Sequence, residues 1–292
     1  MDTCTLKGRP PYPFEKIGVL LTGSSRVQEL LAEAGNLSRI FGAHLLLIHF
    51  GKQTLQPNTT LAETYRRSGI NLEETTIFRF EGEPVKGLLA ICKENSVDLL
   101  ILETIRREKA LRYYLGSVTR GMSRSAKCSL LLLTEPQTEG TTFKKLVVSG
   151  VSHPKTPHTV NTAVYFAKHT GALDVAIVKE LDQPALSMAE AYTNATDNST
   201  VFKKQIANDE IRKMHNIISQ CPSDQVKITE EIIFGRQGYT IRLYARNCNA
   251  DLLVINSPDA KYGIIDRIFT HDMEYILEDL PCNVLIVHSR TS

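Results

Sequence analysis

The sequence predicts an α/β protein built from two tandem, doubly wound domains, each around a five-stranded parallel sheet, packed together as a pseudo-dimer. Three observations lead there: an internal repeat, a regular alternation of strand-like and helix-like segments, and strands that are apolar at consecutive positions.

The repeat sets the architecture. Phe14-Glu15-Lys16-Ile17 recurs as Phe143-Lys144-Lys145-Leu146, and Gly42-Ala43 as Gly171-Ala172, both at an offset of 129 residues (14 to 143, 42 to 171). Val97-Asp98-Leu99-Leu100-Ile101 recurs as Ala250-Asp251-Leu252-Leu253-Val254 at an offset of 153 (98 to 251), and Cys128 as Cys282 at 154. The offset grows because the second copy carries extra residues around 182–200, rich in Asn, Asp, Ser and Thr and containing Pro184, which read as a surface loop. The segment 135–142, with Pro136 and Gly140, separates the copies, giving domains at 14–135 and 143–290. A chain of 292 residues has room for two cores of this size.

Within the first copy the elements follow in order. Residues 17–21 read as a strand, 27–41 as a helix of 3.6-residue period, 45–50 as a strand and 61–68 as a helix. A strand at 75–80, a helix at 84–93, a strand at 99–102, a helix at 115–125 and a strand at 130–133 complete the unit. Glu83-Pro84 marks the start of the third helix, since proline is tolerated in a first turn and an acid suits the positive end of the helix dipole. Strands such as 99–102 and 252–255 are apolar without alternation, as strands covered on both faces by crossover helices must be.

Composition excludes several classes. With 42% hydrophobic and 23% charged residues the chain is neither disordered nor fibrous. Lys and Arg outnumber Asp and Glu by only 34 to 32, so net charge offers no grip on nucleic acid and any anion site has to be local. The apolar run 45–48 is bounded by His44 and His49 and falls far short of the ~20 residues of a membrane span. Residues 1–14 lack the apolar core of a secretory signal, so a cytoplasmic location with reduced cysteines is expected. Cys4, Cys92, Cys128, Cys221, Cys248 and Cys282 form no CxxC pair and read as apolar fillers, and the histidines show no metal-binding spacing. No metal, catalytic triad, Walker loop or nucleophile elbow is evident, and no enzyme activity is expected.

The strand and helix order, the Asp-Leu-Leu-Ile fourth strand, Leu115-Gly116-Ser117-Val118-Thr119 and the cysteine before the last strand resemble the universal stress protein family, across nearly the whole chain and twice. The resemblance implies the fold shared with adenine nucleotide alpha hydrolase-like proteins and a stress-response or regulatory role. It also implies ATP or another adenine nucleotide as ligand, and association through the fifth strands, here 130–133 and 284–287. Within one chain that pairing makes the second domain the partner of the first; a homodimer is a further expectation.

In the nucleotide-binding branch the first strand ends in Asp-Gly-Ser, and Gly-x-x-Gly, nine residues and Gly-Ser or Gly-Thr follow the fourth. This chain has Thr22-Gly23-Ser24, then Glu103 and Arg106 at the two leading glycines, then Gly116-Ser117-Val118-Thr119. Glycine lets backbone N–H groups close around phosphate oxygens in conformations a β-carbon disfavours, and Glu103 adds a negative charge, so the site is degenerate. What remains is a helix start with exposed amides and two hydroxyls, flanked by Arg106, Arg107, Lys109 and Arg112. The plainer reading has Ser117 or Thr119 capping the helix and the basic loop as solvated surface. In the second copy the positions read Val151-Ser152-His153, Ser257, Ala260 and Thr270-His271, with none of the signature glycines. The nucleotide site is therefore expected in the first domain, at Thr22, Gly23, Ser24, Arg106, Gly116, Ser117, Val118 and Thr119. The alternatives are a ligand-free interaction scaffold and an ATP-using enzyme of the related superfamily, which needs an intact phosphate loop.

Overall fold

The computed structural model describes residues 13–51, 65, 67–107, 112–182, 199–221, 226–258 and 273–289. The chain divides into two compact units: a first unit of residues 12–142 together with 283–292, and a second unit of residues 143–282.

The first unit opens with β1 (Lys16–Leu21), buried at every position after Lys16. Helix α1 (Val27–Phe41) ends at Gly42, whose φ of +62° is a left-handed conformation that favours glycine and turns its N–H back to the last carbonyls of the helix. β2 (His44–Phe50) pairs parallel with β1, and β3 (Thr75–Phe80) parallel with β2. Helix α2 (Pro84–Glu94) starts where Glu83-Pro84 predicts: the Glu83 carboxylate accepts the Lys86 N–H at 2.9 Å. β4 (Leu99–Glu103) then crosses to the other side of β1. Of the helix expected at 61–68, only residues 65, 67 and 68 are described, the first two of them helical.

The segment after β4 departs from expectation. It folds into a short antiparallel hairpin, β5 (Ile105–Arg107) against β6 (Arg112–Tyr114). Helix α3 (Ser117–Ser125) begins two residues later than predicted, because Leu115 is a buried anchor before the helix and Gly116 its N-cap. β7 (Ser129–Leu133) pairs parallel with β4.

The second unit repeats the pattern. It comprises β8 (Lys145–Ser149), α4 (Thr156–Thr170), β9 (Asp174–Leu181), α5 (Ser199–Ile218), β10 (Lys227–Phe234), α6 (Tyr239–Asn247) and β11 (Leu252–Asn256). Its strands lie parallel in the order β10-β9-β8-β11, the counterpart of β3-β2-β1-β4.

The repeated residues have identifiable structural jobs. Asp98 accepts the Lys16 N–H at 2.9 Å and Asp251 accepts the Lys144 and Lys145 N–H groups at 2.8 and 2.9 Å, so each copy's aspartate fixes where the first strand begins. Gly42 and Gly171 both end helices in the left-handed region. Phe14 meets Phe41 edge-on, and Phe143 meets Phe166 edge-on, each with ring centroids 5.1 Å apart. The linker docks on α1: Thr141 N–H donates to the buried Glu33 carboxylate at 2.6 Å. Burial pushes the Glu33 pKa up, and the bonds from Thr141 hold it back in part.

The last strand, β12 (Asn283–Val287), belongs by its contacts to the first unit, although its place in the chain puts it in the expected domain 143–290. It runs antiparallel to β7, with Val284, Leu285 and Ile286 opposite Leu132, Leu131 and Leu130, all buried. The physical reason is edge protection, since an apolar fifth strand left open would present unpaired N–H and C=O groups. Polar bonds hold the register at both ends: Thr134 donates its N–H and hydroxyl to Asn283 Oδ1 at 2.9 and 3.1 Å, and His288 N–H donates to Ser129 Oγ at 3.2 Å.

Candidate functional site

In the first unit the strand order reverses between β1 and β4, the point at which a doubly wound sheet opens a crevice beyond its carboxyl ends. A cleft of about 880 Å³ lies there. Apolar Leu20 and Leu102 line it together with the loop after β1, the passage from β4 into β5, and the first turn of α3.

Thr22, Ser24, Gly116, Ser117, Val118 and Thr119 all line this cleft. Gly23 sits between two lining residues at φ +71°, where a side chain is disfavoured by the backbone although the space beside it is open. Arg106 lies on β5 opposite Tyr113, and its side chain, like all of Lys109, is outside the described residues.

The helix start is not capped in the way the plainer reading expects. Gly116 is the N-cap residue and contributes no side-chain bond, while Ser117 is exposed in the first turn. Thr119 Oγ1 instead donates to the Glu103 carbonyl at 3.4 Å, tying the start of α3 to the end of β4. The φ of −61° at Gly116 suits any residue, so glycine serves closeness here: a β-carbon would stand 3.3 Å from Ile105 Cδ1.

Sequence reasoning missed Arg26, the N-cap residue of α1. Its Nη1 donates to the Thr134 carbonyl at 3.1 Å and its Nη2 to the Thr104 carbonyl at 2.9 Å, while Nε lies 2.7 Å from Glu103 Oε1. Ser24 Oγ accepts the Arg26 N–H at 3.2 Å and shapes the turn that presents it. The Glu103 charge that should repel a polyphosphate is therefore balanced inside the cleft by a guanidinium. One signal was available: Lys155 stands 129 residues after Arg26, so both copies carry a cation at this position.

The corresponding ends of β8 and β11 in the second unit are cross-braced by buried side chains. Lys155 Nζ reaches the Ser257 carbonyl and hydroxyl, both at 3.4 Å, and its N–H donates to His153 Nδ1 at 3.2 Å. Asn256 accepts from the Thr159 hydroxyl and donates to Thr156 Oγ1, which in turn donates to the Val151 carbonyl. Strand register makes Asn256, one residue before Ser257, the counterpart of Glu103. Ser152 receives the Lys179 ammonium at 2.5 Å; burial draws the Lys179 pKa down, and Glu210 at 3.5 Å offsets part of this. Glu180 closes the start of α6, accepting the Gly238 and Ile241 N–H groups at 2.9 and 2.7 Å. A cavity of about 20 Å³ remains beside it. Ala260, Thr270 and His271 are outside the described residues.

Among the described residues no group of three or more His, Cys, Asp or Glu is placed to hold a metal ion, and no helix is long and apolar enough to cross a membrane. Cys92, Cys128 and Cys221 are buried, Cys248 and Cys282 partly so, and Cys4 is outside the described residues.

Comparison with known proteins agrees with the topology. Several solved structures share the fold over almost the full length, among them the following two. One is a putative universal stress protein from Pseudomonas aeruginosa UCBPP-PA14, at 16% identity and a TM-score of 0.63, covering 94% of this chain and 93% of that one. The other is a universal stress protein from Archaeoglobus fulgidus DSM 4304, at 14% identity and a TM-score of 0.68, covering 94% and 99%. No curated protein matches the chain. The model of the universal stress protein family matches twice, over residues 13–134 and 143–288. The chain therefore belongs to the universal stress protein family and carries the family's unit in tandem.

Proposed function

We propose that this chain is a non-catalytic, cytoplasmic regulatory protein of the stress response whose first repeat binds a small adenine nucleotide and whose second repeat has given up that role. The observation that carries the reading is the cleft of about 880 Å³ at the β1/β4 switch point, into which the first turn of α3 opens without a capping side chain. Exposed amides and a helix dipole at that turn suit one phosphate group. A full triphosphate wrap is a poorer fit, because Glu103 and the β5–β6 hairpin stand where a glycine loop would fold around it. In the second repeat, Asn256 bonds directly to Thr156 and Thr159, and Lys155 to the Ser257 carbonyl, across the same strand ends.

The scaffold reading draws its support from β12, a strand of the second copy that pairs with β7 of the first. One experiment separates the two: heat-release of any ligand from purified protein, followed by calorimetric titration of AMP, ADP and ATP to millimolar concentration. The expected result is one site per chain. No binding of any of the three would leave the scaffold, two equal sites would reinstate the second repeat, and ADP or AMP accumulating from ATP and magnesium would make the chain an enzyme.

A further inference from the structure

The geometry points to Arg26 as the anion-recognising residue of the first unit's cleft and to Glu103 as its built-in competitor: a phosphate-bearing ligand enters by exchanging places with the Glu103 carboxylate. This rests on the reading of the cleft as a nucleotide site.

Three bonds hold the Arg26 guanidinium, and they are of two kinds. Nη1 and Nη2 are fixed by the Thr134 and Thr104 carbonyls, backbone groups at the ends of β7 and β4. Nε is held by Glu103 Oε1, an atom on a side chain that can rotate. The guanidinium is thus pre-oriented by partners that stay, and neutralised by one that is free to leave. A phosphate oxygen offers Nε the same charge-assisted bond as the carboxylate does. The Arg26 and Glu103 side chains are 29% and 15% exposed, so the pair is reachable from the cleft it lines.

The second repeat supplies an independent comparison. Lys155, at the position of Arg26, also reaches a main-chain carbonyl past the fourth strand, that of Ser257, the counterpart of Thr104. The cation spanning from the first loop to the fourth strand is therefore common to both copies. The acid is not: Asn256 stands for Glu103 there, neutral and engaged with Thr156 and Thr159. Glu103 lines the cleft of its copy. Thr119 bonds to its carbonyl, so the start of α3 lies beside the same residue, and a phosphate displacing the carboxylate gains the guanidinium and the helix start together.

The test is calorimetric titration of AMP and of adenosine into the wild-type chain and into Glu103→Gln, a change that keeps the side chain's size and an acceptor for Nε. Removing the competitor is expected to raise AMP affinity about tenfold and to leave adenosine within about twofold. Arg26→Gln in the same background should abolish the gain. AMP binding seen only in Glu103→Gln overturns the exchange, because the wild-type carboxylate is then never displaced. If both ligands bind and their affinity ratio is the same in the two proteins, this inference alone falls. If neither ligand binds either protein, the nucleotide-site reading falls and takes the exchange with it.

Discussion

Replacing Leu285 by aspartate is expected to remove upward of about 4 kcal/mol of stability, most of what a domain of this size holds. Leu285 is fully buried on β12 opposite Leu131, itself fully buried on β7. An ionised carboxylate placed there has apolar neighbours, and a charge taken out of water without a partner is among the costliest single changes available. Leu285→Ile, which conserves volume, should cost less than about 1.5 kcal/mol. Soluble yield and urea denaturation of the two variants check this. An aspartate variant with near wild-type stability would show that β12 is not an obligatory part of the first unit.

The second large effect is at Glu180. Its two carboxylate oxygens serve the start of α6, through Gly238 and Ile241, from a buried position on β9. Glu180→Ala removes two charge-assisted bonds and leaves both N–H groups under-satisfied, at an expected cost of about 3 kcal/mol. Glu180→Gln keeps one acceptor but turns an NH₂ group toward the other donor, so its cost should fall between wild type and alanine. Chemical denaturation measures both, and an alanine variant within about 0.5 kcal/mol of wild type would rule out the capping role.

How much of this was legible in the sequence depends on the length scale of each feature. Strands such as Leu99–Glu103 and Leu252–Asn256 announce themselves because burial on both faces demands consecutive apolar residues. The first helix, 27–41, was legible by its period, and the repeat match of Gly42 to Gly171 marks a left-handed helix end in both copies that only the structure explains. The β5–β6 hairpin was not, because three residues a side are too few to display a period. The pairing of 284–287 with 130–133 was expected from the family resemblance, and β12 does pair with β7, in an antiparallel sense that the sequence did not specify. At the site, positions 116–119 were singled out by their match to the family's Gly-Ser motif, whereas Arg26 was overlooked because a single arginine has no pattern. Only its bonds to Thr104, Thr134 and Glu103, partners far along the chain, give it a role.

The most direct test of the account is nucleotide titration of Gly116→Val beside the wild-type chain. The backbone at Gly116 accepts any residue, so the fold should persist with its melting temperature within a few degrees, while the added methyl groups crowd the cleft between α3 and Ile105. The account predicts one nucleotide site in the wild-type chain, weakened at least about tenfold in the variant. Unchanged nucleotide binding by a well-folded Gly116→Val chain would contradict it, because the ligand would then lie elsewhere than at the β1/β4 cleft.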